Sequence, residues 1–267
     1  MQIKHIFRRI KLHQLTARSF SLLILLTGIL ISSCQPKYIA SSQESKQYIF
    51  SPQKDSAQDL SMLELTQPYR DSLARSMNRI IANVTTPLSK ELPEGNLGNF
   101  CADGCMRVAT LKCIEKKLPL PDFLFLNHGG LRTSIPAGEI TIGNIYEVMP
   151  FENELVMIRL TKNQVDTLLN YIAKKGGAPV SGIRFKIENE QATQIIFSRN
   201  NDKNQSSYTV ITSDYLANGG DGFEFLKTIQ KTNLDIKVRD ALIQDFSEFG
   251  KRNESINISK DGRIYKN

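Results

Sequence analysis

The feature that most constrains the fold of this chain is a segment that leads from an apolar strand into paired glycines. Residues 213–223 read SDYLANGGDGF and follow a predicted strand over residues 208–211. Adjacent glycines permit a sharp turn or a close approach of the backbone to a ligand. Two interpretations stay open. In one, Asp221 is the N-cap of a helix over residues 223–230. In the other, Tyr215 offers a flat ring face and Asp221 accepts hydrogen bonds from hydroxyl groups.

A second glycine turn follows another predicted strand, over residues 122–126, and reads NHGGLR. Its Asn127 and Arg132 are five residues apart across two glycines and can converge on one anionic group. The arginine fork suits phosphate, and backbone amides can add donors. Phe151 adds a second aromatic ring that is predicted to be exposed, after a predicted strand over residues 145–150. The alternative is an ordinary hairpin with a surface arginine and a core phenylalanine.

Five motifs, taken together, resemble the 5′-nucleotidase C-terminal domain family. They occur in the family's order and spacing over residues 63–264, and they read EGNLGNFCADGCM, NHGGLR, PFEN, SGIRF and YLANGGDGF. The resemblance implies an α/β fold with a mixed sheet and layered helices. Apolar spacing agrees with this class, because it predicts helices such as residues 98–116 and strands such as residues 155–160. Weak alternation in that strand predicts that both of its faces are covered.

The resemblance implies a site for a nucleoside or a nucleoside 5′-phosphate. Phe151 and Tyr215 match the family's two base-stacking rings, and Asp221 matches the carboxylate that accepts the ribose hydroxyls. Gly182 matches a backbone position close to the sugar or base. Stacking contributes about 1–3 kcal/mol per base in nucleic-acid complexes, and two rings can use it twice.

On the phosphate side, the resemblance is less complete. Asn127 and Arg132 match the family's contacts there. Many members carry a further arginine ahead of the Gly-Asn helix start, whereas this chain has Lys90 and no arginine in residues 90–95. A lysine supplies a point charge without the bidentate fork. We therefore expect either weaker phosphate binding or a ligand without that phosphate.

Histidine content bears on the chemistry. Family members hydrolyse nucleotides with a second, metallophosphatase domain, whose two metal ions need several His and Asp ligands. The sequence contains His5, His13 and His128, and the first two lie in a predicted targeting segment. His128 is either a lone acid or base or, more simply, a structural turn residue. We predict no catalytic residue, metal ligand or cofactor on this chain, and we expect divalent metals on a separate metallophosphatase partner.

The N-terminus predicts a lipid-anchored protein of the bacterial cell envelope. Five basic residues and no acidic ones precede an apolar run over residues 22–31, too short to span a bilayer comfortably. The run ends in LISSC, which resembles a lipoprotein signal with cleavage before Cys34. The alternative is a plain signal peptide or anchor helix with an incidental cysteine. We divide the chain into a signal peptide (1–33), a flexible tether (34–60) and one domain (61–267), on the periplasmic or surface face of the outer membrane.

Net charge does not indicate polymer nucleic acid as a partner. The chain has 34 basic and 27 acidic residues, a net charge of +7. Removal of residues 1–33 leaves 29 basic against 27 acidic residues and a net charge of +2. The basic balance that often accompanies nucleic-acid binding is therefore mostly lost with the signal.

Cysteines 101, 105 and 113 share one face of the predicted helix over residues 98–116. This spacing favours buried thiols. A metal site is the alternative, although no nearby histidine supports it. An envelope location permits disulfides, but an odd number of thiols leaves at least one free or bonded to another chain.

The leading hypothesis is the nucleoside- or nucleotide-binding half of a 5′-nucleotidase-type phosphohydrolase of nucleotide catabolism, acting with a separate metallophosphatase. The family is enzymatic, whereas catalysis by this chain alone stays an open question. The alternative is a non-catalytic nucleoside-binding lipoprotein for capture or sensing. A third hypothesis is an envelope interaction protein that kept the fold and lost the ligand.

Overall fold

A computed structural model describes residues 60–199 and 205–266 of the chain. Helices and strands are interspersed along these residues. The helices are α1 (Leu60–Met77), α2 (Asn96–Glu115), α3 (Ile142–Val148), α4 (Lys162–Lys174), α5 (Asp214–Ala217) and α6 (Val238–Lys251). The strands are β1 (Ile80–Val84), β2 (Phe123–Phe125), β3 (Gly138–Thr141), β4 (Glu154–Thr161), β5 (Val180–Ser181), β6 (Ile183–Glu188), β7 (Gln191–Phe197), β8 (Ser207–Ser213), β9 (Lys231–Lys237), β10 (Ser255–Ile256) and β11 (Ile264–Lys266).

Three sheets with mixed strand directions organise these elements. The largest has the order β5-β2-β8-β4-β9, in which β2 and β8 are parallel and the other pairs are antiparallel. Two three-stranded sheets have the orders β10-β1-β3 and β11-β6-β7, and each combines one parallel with one antiparallel pair. The predicted α/β class with a mixed sheet is confirmed.

The five-stranded sheet separates two hydrophobic clusters. Along β4, Leu155 and Met157 belong to the cluster that contains α2 and α6, whereas Val156 and Ile158 belong to the cluster that contains α4. Alternate side chains of a strand point to opposite faces of the sheet. Both faces are therefore covered, as the weak alternation of this strand predicts.

Helix α2 packs its cysteine face into the first cluster. Cys101, Cys105 and Cys113 are buried and free of disulfides, which confirms the prediction of buried thiols. Phe100 of the same helix meets Phe246 of α6 edge-on, with the ring centroids 4.5 Å apart. Burial raises the pKa of the Cys105 thiol well above its ordinary value. These thiols serve packing in the neutral form.

The predicted strand over residues 145–150 is wrong. Helix α3 occupies Ile142–Val148, and a capping box begins it. The Thr141 hydroxyl accepts a hydrogen bond from the Asn144 amide, and the Asn144 side chain accepts one from the Thr141 amide. The pair satisfies backbone donors that a helix start leaves open. Burial of Ile142, Ile145 and Val148 then follows helical spacing.

The predicted helix over residues 223–230 is also wrong. The structure has only a single 3₁₀ turn there, Glu224–Leu226, and strand β9 begins at Lys231. A preceding 3₁₀ turn holds Asp221 at φ 52° and Gly222 at φ 86°, outside the right-handed helical region. The backbone therefore enters this stretch in a conformation that does not propagate an α-helix.

The predicted signal peptide, the lipid-bearing Cys34 and nearly all of the predicted tether lie outside the described residues. The tether's last residue, Leu60, is the first residue of α1. Within residues 60–199 and 205–266, no helix combines the length and apolar character needed to cross a membrane.

Candidate functional site

Five of the six predicted binding residues line one cavity of about 270 Å³. We call this cavity the aromatic cleft, after its two exposed rings. The five residues are Asn127, Arg132, Phe151, Tyr215 and Asp221. Segments far apart in sequence thus contribute to a single concave site.

Sheet topology explains why these segments meet. Strands β2 and β8 are parallel neighbours, so their carboxyl ends lie at the same edge of the sheet. Asn127 follows β2 and Tyr215 follows β8. Strand β4 is antiparallel to β8, so its first residues lie at that edge as well, and β4 begins three positions after Phe151. Ligands of open α/β sheets commonly bind beyond the carboxyl ends of the parallel strands.

The two rings of the cleft are only partly covered. The exposed fraction is 40% for Phe151 and 42% for Tyr215. Arg132 lies beside the first ring, with its guanidinium carbon 5.9 Å from the Phe151 centroid, and it donates a hydrogen bond to the Gly129 carbonyl at 3.3 Å. The rings offer apolar area, and the arginine adds a positive charge to the same cavity.

Asp221 is hydrogen-bonded to Tyr215 and does not cap a helix. The Tyr215 hydroxyl donates a hydrogen bond to Asp221 Oδ1 at 2.8 Å and accepts one from the Asp221 amide at 3.1 Å. The interpretation of Asp221 as a helix N-cap is therefore wrong. Gly220 permits this arrangement, because a Cβ there would lie 2.5 Å from Cε1 and Cζ of the tyrosine ring.

Phe151 is held through its backbone. Arg239 of α6, which is 4% exposed, donates to the Phe151 carbonyl at 3.3 Å and to Glu152 Oε1 at 2.5 Å. Its guanidinium also lies over the Tyr146 ring of α3, 4.0 Å from the centroid. Sequence reasoning missed Arg239, because nothing in its local pattern marks a buried arginine at the start of a helix.

Asp214 links the two segments that carry the rings of the cleft. Sequence reasoning missed this residue too. Its Oδ1 accepts hydrogen bonds from the Tyr215 amide at 2.7 Å, the Asn153 side chain at 3.0 Å and the Glu154 amide at 3.1 Å. One carboxylate oxygen thereby joins the segment that carries Tyr215 to the segment that follows Phe151. Its position directly before Tyr215, the predicted stacking residue, is the feature of the sequence that could have identified it.

Asn127 and His128 are neighbours in the glycine turn after β2, but they line different cavities. The Asn127 side chain lies against Gly130, where a Cβ would be 2.8 Å from its Oδ1. His128 lines a separate, small recess with Lys90. Burial, together with the Lys90 charge, lowers the pKa of His128. Lys90, which lies in the stretch where many family members carry an arginine, is therefore not among the residues that line the aromatic cleft.

Gly182 is the predicted binding residue that does not line the cleft. It lies between β5 and β6 at φ 79°, and a Cβ there would be 2.7 Å from the Asp122 carbonyl oxygen and 3.1 Å from the Phe123 Cα. Close packing against β2 thus explains the glycine. A contact with a sugar or base at this position stays a prediction.

The described residues do not fit a metal centre. In the part of the chain that the structure describes, no three His, Cys, Asp or Glu side chains are grouped so that they could hold a metal ion. We therefore derive no metal-dependent step on this chain.

Comparison with known proteins assigns the fold and the motifs to one family. The sequence profile of the family described as 5′-nucleotidase, C-terminal domain, matches residues 74–228. The chain belongs to this family. The resemblance predicted from the five motifs is thereby confirmed.

Two relatives with similar sequences are named 5′-nucleotidase. A 5′-nucleotidase of Vibrio parahaemolyticus is 28% identical in an alignment 186 residues long, which covers 66% of this chain and 31% of the relative. A 5′-nucleotidase of Vibrio vulnificus is 27% identical in an alignment 208 residues long, which covers 76% of this chain and 36% of the relative. The chain thus spans about a third of the length of these curated relatives.

A solved structure agrees with this assignment. The crystal structure of a 5′-nucleotidase precursor from Thermus thermophilus superposes with a TM-score of 0.63 at 25% identity. The match covers 78% of this chain and 43% of that one.

Proposed function

We propose that this protein is the nucleoside- or nucleotide-binding half of a 5′-nucleotidase-type phosphohydrolase, acting in nucleotide catabolism with a separate metallophosphatase. The observation that carries the proposal is the aromatic cleft. Two exposed rings, a carboxylate, an amide and a guanidinium line one cavity in a domain of this family.

Each group has a role that its chemistry suits. Phe151 and Tyr215 stack on the two faces of the base, and Asp221 accepts hydrogen bonds from the ribose hydroxyls. Asn127 offers amide donors and an acceptor, and Arg132 supplies the positive charge for a phosphate. Ligand pockets usually measure about 300–1,000 Å³. A cavity of about 270 Å³ lies just below this range and suits a base with its sugar.

We assign the metal-dependent chemistry to the partner. Hydrolysis of a phosphate monoester by a two-metal site requires ligands that hold both ions about 3.5–4 Å apart. We place those ligands and their divalent metals on the metallophosphatase, and we place both proteins in the bacterial cell envelope. Lipid attachment at Cys34, after cleavage of residues 1–33, anchors this chain to the membrane.

A calorimetric titration with adenosine and AMP tests the binding role. We expect the wild-type protein to bind both ligands and Tyr215→Ala to lose most of the affinity, because one stacking face is removed. Tyr265→Ala is the matched control, since this tyrosine is also partly exposed but bonds to Gln194 on another sheet. Absence of binding by the wild-type protein would contradict the proposal.

A phosphate-release assay tests the division of labour. We expect the purified protein with Mg²⁺, Mn²⁺ or Zn²⁺ to release no phosphate from AMP, and we expect turnover when the metallophosphatase is added. Rapid turnover by this protein alone would contradict the need for a partner.

A second candidate is a nucleoside-binding lipoprotein for capture or sensing, without a catalytic partner. The observation that favours it is that Arg239, Asp214 and Asp221, which hold the two rings, all belong to this chain. The contacts that hold the two rings are therefore this chain's own. A metallophosphatase that is encoded next to this chain and raises AMP turnover would exclude this candidate, whereas a neighbouring transporter would favour it.

A further inference from the structure

The Tyr215 hydroxyl is a part of the cleft that base stacking does not use. A phenylalanine would present the same ring face to a base. The hydroxyl instead makes two hydrogen bonds to a single residue, one to Asp221 Oδ1 and one from the Asp221 amide. Its contacts are therefore directed at the carboxylate of the cleft.

Asp221 has an uncommon backbone conformation. Its φ of 52° and ψ of 21° lie in the left-handed region, which is unfavourable for a residue with a side chain. The Tyr171 hydroxyl donates to the Asp221 carbonyl at 2.9 Å, so two tyrosines bind the backbone on either side of its Cα. These contacts offset the cost of the conformation and fix the direction of the side chain.

The same contacts leave one carboxylate oxygen open. Tyr215 occupies Oδ1, whereas Oδ2 accepts no hydrogen bond from any residue in the described ranges. Asp221 is half-buried at the wall of the cleft, and its charged oxygen is oriented before a ligand arrives. Orientation before binding lowers the entropic cost of the contact.

We propose that the Tyr215 hydroxyl is a positioning group that fixes Asp221 for vicinal hydroxyls and so makes the cleft selective for ribose. This inference rests on the proposed function and adds a determinant of sugar specificity to it. A phenol bonded to a carboxylate is a charge-assisted contact. Loss of the hydroxyl frees the turn and the carboxylate, and a sugar that offers hydroxyls loses its pre-oriented acceptor.

Tyr215→Phe tests the inference, since it keeps the ring and removes only the hydroxyl. Calorimetric titration of the purified full chain is compared for adenosine and for 2′,3′-dideoxyadenosine, which lacks both sugar hydroxyls. We expect Tyr215→Phe to weaken adenosine about tenfold, the scale of one hydrogen bond to a charged group. We expect the dideoxy compound to lose clearly less affinity than adenosine does, because it offers no sugar hydroxyl to Asp221. Tyr265→Phe removes a tyrosine hydroxyl that bonds Gln194, outside the cleft, and is expected to change neither affinity.

A measurement without ligand separates this inference from the proposed function. Hydrogen exchange of the Asp221 amide, followed by NMR, is expected to speed up in Tyr215→Phe and to stay unchanged in Tyr265→Phe. Unchanged exchange, or equal loss of affinity for both nucleosides, would overturn the positioning role while leaving nucleoside binding intact. Failure of the wild-type protein to bind either nucleoside would instead overturn the proposed function, and ribose selectivity with it.

Discussion

The two aromatic walls of the cleft are held in different ways. Phe151 is held through its backbone, because its carbonyl accepts a hydrogen bond from the buried Arg239. Tyr215 is held at its tip, through a hydroxyl bonded to Asp221 in a surface turn. One wall is tied to the hydrophobic core and the other to a local turn. We therefore expect changes at the first wall to alter stability and binding together, and changes at the second to alter binding alone.

Gly220→Ala is expected to have the largest effect on binding. The new Cβ would lie 2.5 Å from the Tyr215 ring, so the ring must leave its place. Loss of one stacking face and of the Asp221 contact is expected to weaken adenosine binding about 100-fold by calorimetry. Thermal unfolding is the control, since the ring is partly exposed and the midpoint is expected to change little. Affinity close to that of the wild type would show that the ring position does not matter.

Asp214→Ala tests the link between the walls. It removes the acceptor of three hydrogen bonds that join Tyr215, Asn153 and Glu154. We expect about tenfold weaker adenosine binding, because the spacing of the rings is no longer fixed. Asp214→Asn keeps one acceptor oxygen and is the graded control, with an intermediate affinity. Equal affinities in all three proteins would mean that the walls are independent.

Arg239→Met tests the wall that is tied to the core. Methionine keeps apolar contact with Tyr146 but cannot donate to the Phe151 carbonyl or to Glu152. We expect the free energy of unfolding to fall by about 2 kcal/mol and adenosine affinity to fall about fivefold. Urea unfolding and calorimetry measure the two effects.

The matched control for this variant is Arg252→Met. Arg252 follows α6, packs over Phe249 at 5.0 Å and is about half exposed. Its replacement is expected to change the free energy of unfolding by less than about 0.5 kcal/mol. A drop in affinity for Arg239→Met without any loss of stability would contradict the proposed difference between the walls.

The smallest effect is expected from His128, which adjoins the cleft without lining it. Its pKa is lowered in the folded chain, so the unfolded chain takes up the proton first as the pH falls. Stability is therefore expected to decrease as the pH falls from about 6.5, the ordinary histidine value, towards the lower folded pKa. Urea unfolding at several pH values is expected to show a shallower decrease for His128→Gln. Parallel curves for both proteins would contradict this account.

Motifs predicted the family and most of the cleft, because they contain the residues that follow β2, precede β4 and follow β8. The pairing of these strands brings the motifs to one edge of the sheet. Gly182 was the exception, since a glycine needed for packing and one needed beside a ligand look the same in a sequence.

The supporting residues were harder to predict. Arg239 acts on Phe151 across 88 positions of the chain, and only the folded contacts reveal it. The helix α3 was missed because its capping pair, Thr141 and Asn144, precedes apolar residues that also suit a strand. Residues 223–230 are predicted as a helix because helix propensity does not reveal that Asp221, just before them, has a left-handed backbone.

A crystal structure of the protein with adenosine tests the central claim most directly. We predict that the base lies between the Phe151 and Tyr215 rings and that the ribose hydroxyls donate to Asp221 Oδ2. Adenosine bound elsewhere, or an empty cleft at saturating adenosine, would contradict the account.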